Sequence, residues 1–156
     1  MEPRMNLFAS PVTTQFVKHI VAAAKTLSAS TLPASTRHLV NIRASQINGC
    51  SGCVDMHTKE AAHSGEDSTR LHLIAAWREA TVFTDAERAA LALTEEGTRL
   101  ADGRGVADEI WESAAKHFDE EQMGALVCSI ALINAFNRGN VITQQPAGSY
   151  RPGQHP

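Results

Sequence analysis

The chain of 156 residues has little of what several protein classes require. Only eight residues are aromatic, and 14 Lys and Arg against 17 Asp and Glu leave a net charge of −3. No basic stripe or lysine-rich block appears, which argues against nucleic acid as the main partner. The longest apolar stretches fall well short of the roughly 20 residues that a membrane span needs. The opening Met1-Glu2-Pro3-Arg4-Met5 lacks the basic-then-apolar layout of a secretory leader. We therefore expect a cytoplasmic protein with neither a nucleic-acid nor a membrane partner. Closely spaced Gly, Asn and Pro turns are also missing, so a strand-rich fold is not expected. Three cysteines, an odd number, cannot form a disulfide scaffold for a chain this long.

Alanine is abundant. The 24 alanines are nearly one residue in six, and alanine has the best helix propensity and a poor strand propensity. With 43% of its residues hydrophobic, a chain of this length can bury a self-sufficient core. The expectation is an all-α, compact bundle of about six to seven helices in a single domain spanning residues 1–156.

Apolar periodicity and capping residues place the helices. Phe16, Ile20, Ala23, Ala24 and Leu27 form a stripe over 15–27, with Thr13 or Thr14 as cap. A second helix covers about 35–47 and stops at Asn48-Gly49. A third starts around Cys50 and ends near Ser64, before Gly65. A fourth runs over about 68–80 with Leu71, Ile74 and Trp77. Thr84-Asp85-Ala86-Glu87 is a capping box for a fifth, reaching about Leu100. After the loop Asp102-Gly103-Arg104-Gly105, a sixth covers about 107–118. Asp119-Glu120-Glu121-Gln122 opens a seventh, which continues to about Arg138. Apolar residues nearly encircle it, so it should be the buried central helix, with Cys128 in the core. The stretch 144–156 holds Pro146, Gly148, Pro152 and Gly153 and is not helical. It is either a frayed tail or is pinned by Tyr150 to the domain or to a neighbouring subunit.

The segment that carries chemistry is Ser45-Gln46-Ile47-Asn48-Gly49-Cys50-Ser51-Gly52-Cys53-Val54-Asp55-Met56-His57. If a helix begins at or just before Cys50, then Cys50, Cys53 and His57 share an arc of about 60°. Cys53 and His57 are i, i+4 neighbours, close enough to exchange a proton. The first turn of a helix favours thiolate over thiol. Ser51 and Gly52 are small, which should leave both sulfurs open to a ligand or partner. A thiolate, a second thiol and a proton-handling histidine are the parts of a peroxide-reducing or disulfide-exchanging site. A zinc site would need a fourth ligand from His38, His63 or elsewhere, and no second CxxC or HxxxH exists. Inert buried cysteines and a satisfied core histidine are the remaining alternatives. His63, His72 and His117 should lie on helix surfaces. Asn134 and Asn137, unusual on an apolar helix, could bond across an interface or cap the helix end.

The run from Arg43 to Lys59, with CxxCxxxH at its centre, closely resembles the core motif of the alkyl hydroperoxidase D-like, carboxymuconolactone decarboxylase family. The resemblance continues through Trp77-Arg78-Glu79-Ala80 and Phe83-Thr84. It resumes at Asn134-Ala135-Phe136-Asn137-Arg138 and in the tail from Gly148 to Gly153. It implies an all-helical homo-oligomer, a trimer or hexamer. It also implies a peroxidase that acts on a peroxide substrate and is reduced by a dithiol, a lipoyl-type or thioredoxin-like adaptor. Neither a cofactor nor a metal is expected. By position, Cys53 would form the sulfenic acid, Cys50 would donate a proton and resolve it, and His57 would serve the proton relay. Members that act as decarboxylases generally lack the cysteine pair. Two departures stand out. The relay's usual glutamate, twelve residues before the first cysteine, is here His38, and a histidine that some members carry between the cysteines is here Gly52.

Overall fold

A computed structural model of the chain describes residues 2–103 and 105–153. Met1 of the expected N-terminus, Arg104 of the expected loop and the last three residues of the expected tail lie outside these. The described residues form seven α-helices and no strands: α1 Pro11–Ser28, α2 Ala34–Ile47, α3 Ser51–His63, α4 Ser68–Leu73, α5 Asp85–Thr98, α6 Asp108–Ala115 and α7 Glu120–Thr143. The all-α expectation holds.

Capping explains the boundaries. Thr84 and Glu87 form the expected capping box at α5, and Asp119 and Gln122 form another at α7. The first helix starts earlier than its apolar stripe, because Ser10 caps it and Pro11 occupies the first helical position. Its stripe is also not covered: α1 has no buried residue, and Phe16 is 56% exposed. The fourth helix ends early at Leu73 and passes into a 3₁₀ turn at Ile74–Ala76. The cause is tertiary. The Arg88 guanidinium donates to the carbonyls of Trp77, Arg78 and Ala80 at 3.0, 2.6 and 2.9 Å. Acceptors that a continued helix would have used are thereby satisfied from α5.

Two adjoining clusters form the core. One gathers Leu32, Val40, Leu93, Phe118, Met123 and Leu126, and the other gathers Leu39, Ile42, Ile74, Trp77, Phe83 and Leu91. Helix α7 packs against α1, α2, α3, α5 and α6, so it is central. It is not buried all round, however. Met123, Leu126, Ile130, Ile133 and Asn137 face inward, whereas Gly124, Val127, Cys128 and Ala131 form an outward stripe at i, i+3, i+4 and i+7. Cys128 is therefore exposed rather than core. It lines an apolar groove of about 740 Å³ with Trp111, Phe118, Met123 and Val127. By length and composition α7 is also apolar enough to cross a membrane, although its second half carries Asn134, Asn137, Arg138 and Asn140.

Candidate active site

The site is built where α2 ends and α3 begins. Gly49 turns the chain with φ +66, a conformation that favours glycine. That turn delivers Cys50 to the N-cap of α3. Below it lies a buried amide network. Asn48 Nδ2 donates to the side-chain oxygens of Asn134 and Asn137, both at 2.9 Å, and Asn137 Nδ2 donates to Ser45 Oγ at 3.0 Å. The two asparagines thus neither cross a subunit interface nor cap a helix end. They tie the turn that carries the cysteines to α7. A buried amide left without partners is costly, so this network fixes the turn's position.

Cys50 and Cys53 are joined as a disulfide, with a Cα–Cα distance of 5.3 Å. The Cys53 backbone N–H donates to Cys50 Sγ at 3.4 Å, as expected of a first-turn amide and an N-cap acceptor. Both residues are nearly covered, Cys50 at 2% and Cys53 at 1% exposure. The expectation that the small Ser51 and Gly52 leave both sulfurs open is therefore corrected. The space at Gly52 is taken by the chain's own tail: a Cβ there would lie 3.5 Å from the Pro146 carbonyl oxygen and 3.8 Å from that of Gln145. Only Cys50 reaches a hollow of about 250 Å³, which Gly49, Ser51, Asn140, Val141, Gln144 and Gln145 also line.

The tail is bound to α3 along its length. The Gly148 N–H donates to Asp55 Oδ2 at 2.8 Å, and Lys59 Nζ donates to the carbonyls of Gly148 and Tyr150 at 3.2 and 3.0 Å. The Tyr150 hydroxyl donates to Glu60 Oε1, which also accepts the Gly153 N–H at 3.0 Å. Burial and the Glu60 carboxylate together push Tyr150 up to about 12. Tyr150 thus pins the tail to its own domain. Helix α7 continues past the expected Arg138 to Thr143, and Gln144 in the left-handed region turns the chain back over α3.

His57 lies one turn beyond Cys53 on α3 and is half-buried. Burial, and then the charge of His38, push it down to about 4, against an opposing pull from Glu60. It is therefore a neutral imidazole at pH 7. His38 on α2 is near enough for that charge effect to be felt. It is not an exposed helix residue: its Nδ1 is buried without a hydrogen-bond partner, and burial and Arg37 lower its pKa. The hydrogen bond to the inner sulfur comes from a residue that the sequence did not single out: Asn140 Nδ2 donates to Cys53 Sγ at 3.3 Å. It lies 87 residues from Cys53, and no local pattern marks it. His63, His72 and His117 are exposed, as expected. Among the described residues, no three His, Cys, Asp or Glu side chains are grouped to hold a metal ion.

Beside the site, Glu95 of α5 accepts from Arg43 Nε and Trp77 Nε1 at 2.8 and 2.9 Å and from Arg78 at 2.9 Å. Burial would raise its carboxyl, but these three donors prevail and hold it at about 2. Arg43 and Trp77-Arg78 are segments through which the family resemblance runs, and so are Asn134 and Asn137. Their roles in the structure are to brace α2, α5 and α7 around the cysteine turn.

A helical bundle that holds a CxxC at the start of a helix, with a histidine one turn on, defines a thiol-site protein of the alkyl hydroperoxidase D-like type. The sequence pattern of the carboxymuconolactone decarboxylase family matches residues 13–96, and the chain belongs to that family. It is 40% identical over 120 residues to YdfG, an uncharacterized protein of Bacillus subtilis (strain 168), covering 77% of this chain and 81% of that one. It is 32% identical over 118 residues to the uncharacterized YnjA of Escherichia coli (strain K12), covering 76% and 64% respectively. A crystal structure from Agrobacterium tumefaciens, of a protein of unknown function described as a putative antioxidant defence protein AhpD, superimposes with a TM-score of 0.88 at 33% identity. The match covers 96% of this chain and 100% of that one.

Proposed function

We propose that the protein is a thiol-dependent peroxidase that reduces hydrogen peroxide or alkyl hydroperoxides through the Cys50–Cys53 pair. The observation that carries the reading is that pair at the N-terminus of α3, followed by His57, in a chain of this family. In the cycle, the Cys53 thiolate attacks a peroxide oxygen, giving the Cys53 sulfenic acid and releasing an alkoxide that takes up a proton. The Cys50 thiol then condenses with the sulfenic acid, water leaves and the disulfide forms. A dithiol reductant of lipoyl or thioredoxin-like type reopens it. His57, held neutral at pH 7 by burial, does not stabilise the thiolate as a cation; it would pass a proton on rather than hold one, with His38 as the next group in the relay. The apolar residues left open on α1 (Val12 and Phe16) and in the α6–α7 groove suit a homo-oligomer, a trimer or hexamer, which sedimentation would measure. A reducing, cytoplasmic setting suits a cycle driven by dithiols.

The test is peroxide consumption driven by dithiothreitol or dihydrolipoamide, with no turnover in Cys53→Ser. Absence of consumption with every dithiol defeats the reading. One observation favours a second reading, protein disulfide exchange: Cys50 alone reaches the hollow. A mixed disulfide trapped on Cys50 in Cys53→Ser, with a negligible peroxide rate in the wild type, would select it. Activity on a lactone or carboxylate that survives Cys→Ser at both positions would point instead to decarboxylase-like chemistry.

A further inference from the structure

The two sulfurs of the disulfide have different surroundings. Cys50 caps α3 and borders the hollow, so an incoming thiolate meets it first. Cys53 lies beneath, 1% exposed, and its sulfur faces Asn140 of α7. Among the described residues, the Asn140 side chain makes no other hydrogen bond. Its backbone carbonyl is engaged separately, accepting from the Gln145 N–H at 2.9 Å. A disulfide sulfur is a weak acceptor, whereas a thiolate is a charged one, and charge-assisted bonds are roughly twice as strong. The Asn140 contact is therefore worth most when Cys53 carries negative charge, which is the condition for lowering a barrier. His57 does not supply that stabilisation as a cation, because burial keeps it neutral.

We propose that Asn140 is a catalytic residue of the thiol–disulfide cycle, donating its Nδ2–H to the Cys53 sulfur as that sulfur leaves as a thiolate. This rests on the reading of the pair as redox-active. The step is a displacement. One thiolate of an external dithiol attacks Cys50 Sγ, a new S–S bond forms to the reductant, and the Cys50–Cys53 bond breaks with its electron pair on Cys53. The reductant's second thiol then loses its proton to solvent and closes the reductant's own disulfide. Cys50 departs, so the protein gains the two electrons that the dithiol gives up. The thiolate held by Asn140 after this step is the group that begins the next cycle.

The test uses the full chain and dithiothreitol, with no peroxide present. In a Cys50→Ser, Cys128→Ser background, the thiolate absorbance of Cys53 against pH gives its pKa. Asn140→Ala should raise that pKa by about one unit, the loss of one charge-assisted bond. It should also slow reduction of the oxidised protein, with both cysteines in place, by about three- to tenfold, since a more basic leaving thiol leaves more slowly. Asn140→Asp, nearly isosteric and anionic, should raise the pKa further. Alanine is the better helix former and keeps the backbone bonds, so far-UV circular dichroism should be unchanged. A pKa and a dithiothreitol rate unaltered in Asn140→Ala would overturn the proposal. Failure of peroxide consumption while the Asn140 effects persist would defeat the peroxidase reading alone.

Discussion

Lowering the pH from about 7 to 5 should destabilise this fold through its two half-buried histidines, ahead of the carboxylates. Burial, reinforced by His38, holds His57 at about 4 against an ordinary 6.5, and His38 is lowered by burial and by Arg37. Glu60 and Glu66 act in the opposite direction on His38, without reversing it. In this window the unfolded chain binds protons that the folded protein refuses. Stability is therefore full above about pH 6.5 and is lost as the pH falls toward 4. His57 alone gives a slope of about 1.4 kcal/mol per pH unit, hence about 2 kcal/mol between pH 6.5 and 5. Glu95, held at about 2 against an ordinary 4.5, has the opposite sign of shift. Its stabilisation is present above about pH 4.5 and is lost only as the pH falls below that, so the two windows separate. Urea unfolding of the wild type and of His57→Gln, followed by circular dichroism across this range, measures the effect. The wild-type midpoint should fall with pH, and the variant should keep only the shallower slope due to His38. A pH-independent wild-type midpoint between 6.5 and 5, or equal slopes in the two proteins, would refute the reasoning.

Further outcomes follow from the same structure. Glu95→Ala leaves the half-buried Arg43 guanidinium and the Trp77 N–H without their acceptor. It should cost about 3 kcal/mol and lower the melting temperature by about 10 °C in calorimetry. Tyr150→Phe removes the hydroxyl that donates to Glu60, so limited proteolysis between Gln144 and Gly153 should accelerate several-fold while the bundle stays intact. A thiol-specific chromophore should count one thiol, Cys128, in the oxidised protein after unfolding and three after reduction and unfolding. Gly52→Ala should be nearly neutral, because its Cβ meets the Pro146 carbonyl at an ordinary 3.5 Å. Gly52→Leu should displace the tail and raise its cleavage rate.

Local chemistry made much of this legible. The capping boxes at Thr84 and Asp119 and the glycines after α2 and α3 mark boundaries by short-range bonding, and the structure follows them. The cysteine turn is legible for the same reason, since its spacing and its helix start lie within eight residues. What escaped reading depends on partners distant in sequence. Arg88 satisfies the carbonyls after Leu73 from another helix, so periodicity over 68–80 could not reveal the break. Helix α7 has two apolar faces, and only its neighbours decide that Leu126 points inward and Cys128 outward. Asn140 acts on α3 from 87 residues away, where a single sequence carries no register, whereas Tyr150 is legible as a candidate anchor of the tail but its docking place is not.

The strap that Gln144 sends back over α3 gives the Cys50–Cys53 bond an inside and an outside. A visitor as wide as a folded protein, or an arm carried by one, can meet this bond only from the open flank, at Cys50. The inner flank is roofed by the backbone of Gln145 and Pro146 beside Gly52, which leaves Cys53 1% exposed. Trimming the strap would erase that difference between the two flanks before it touched the sulfurs.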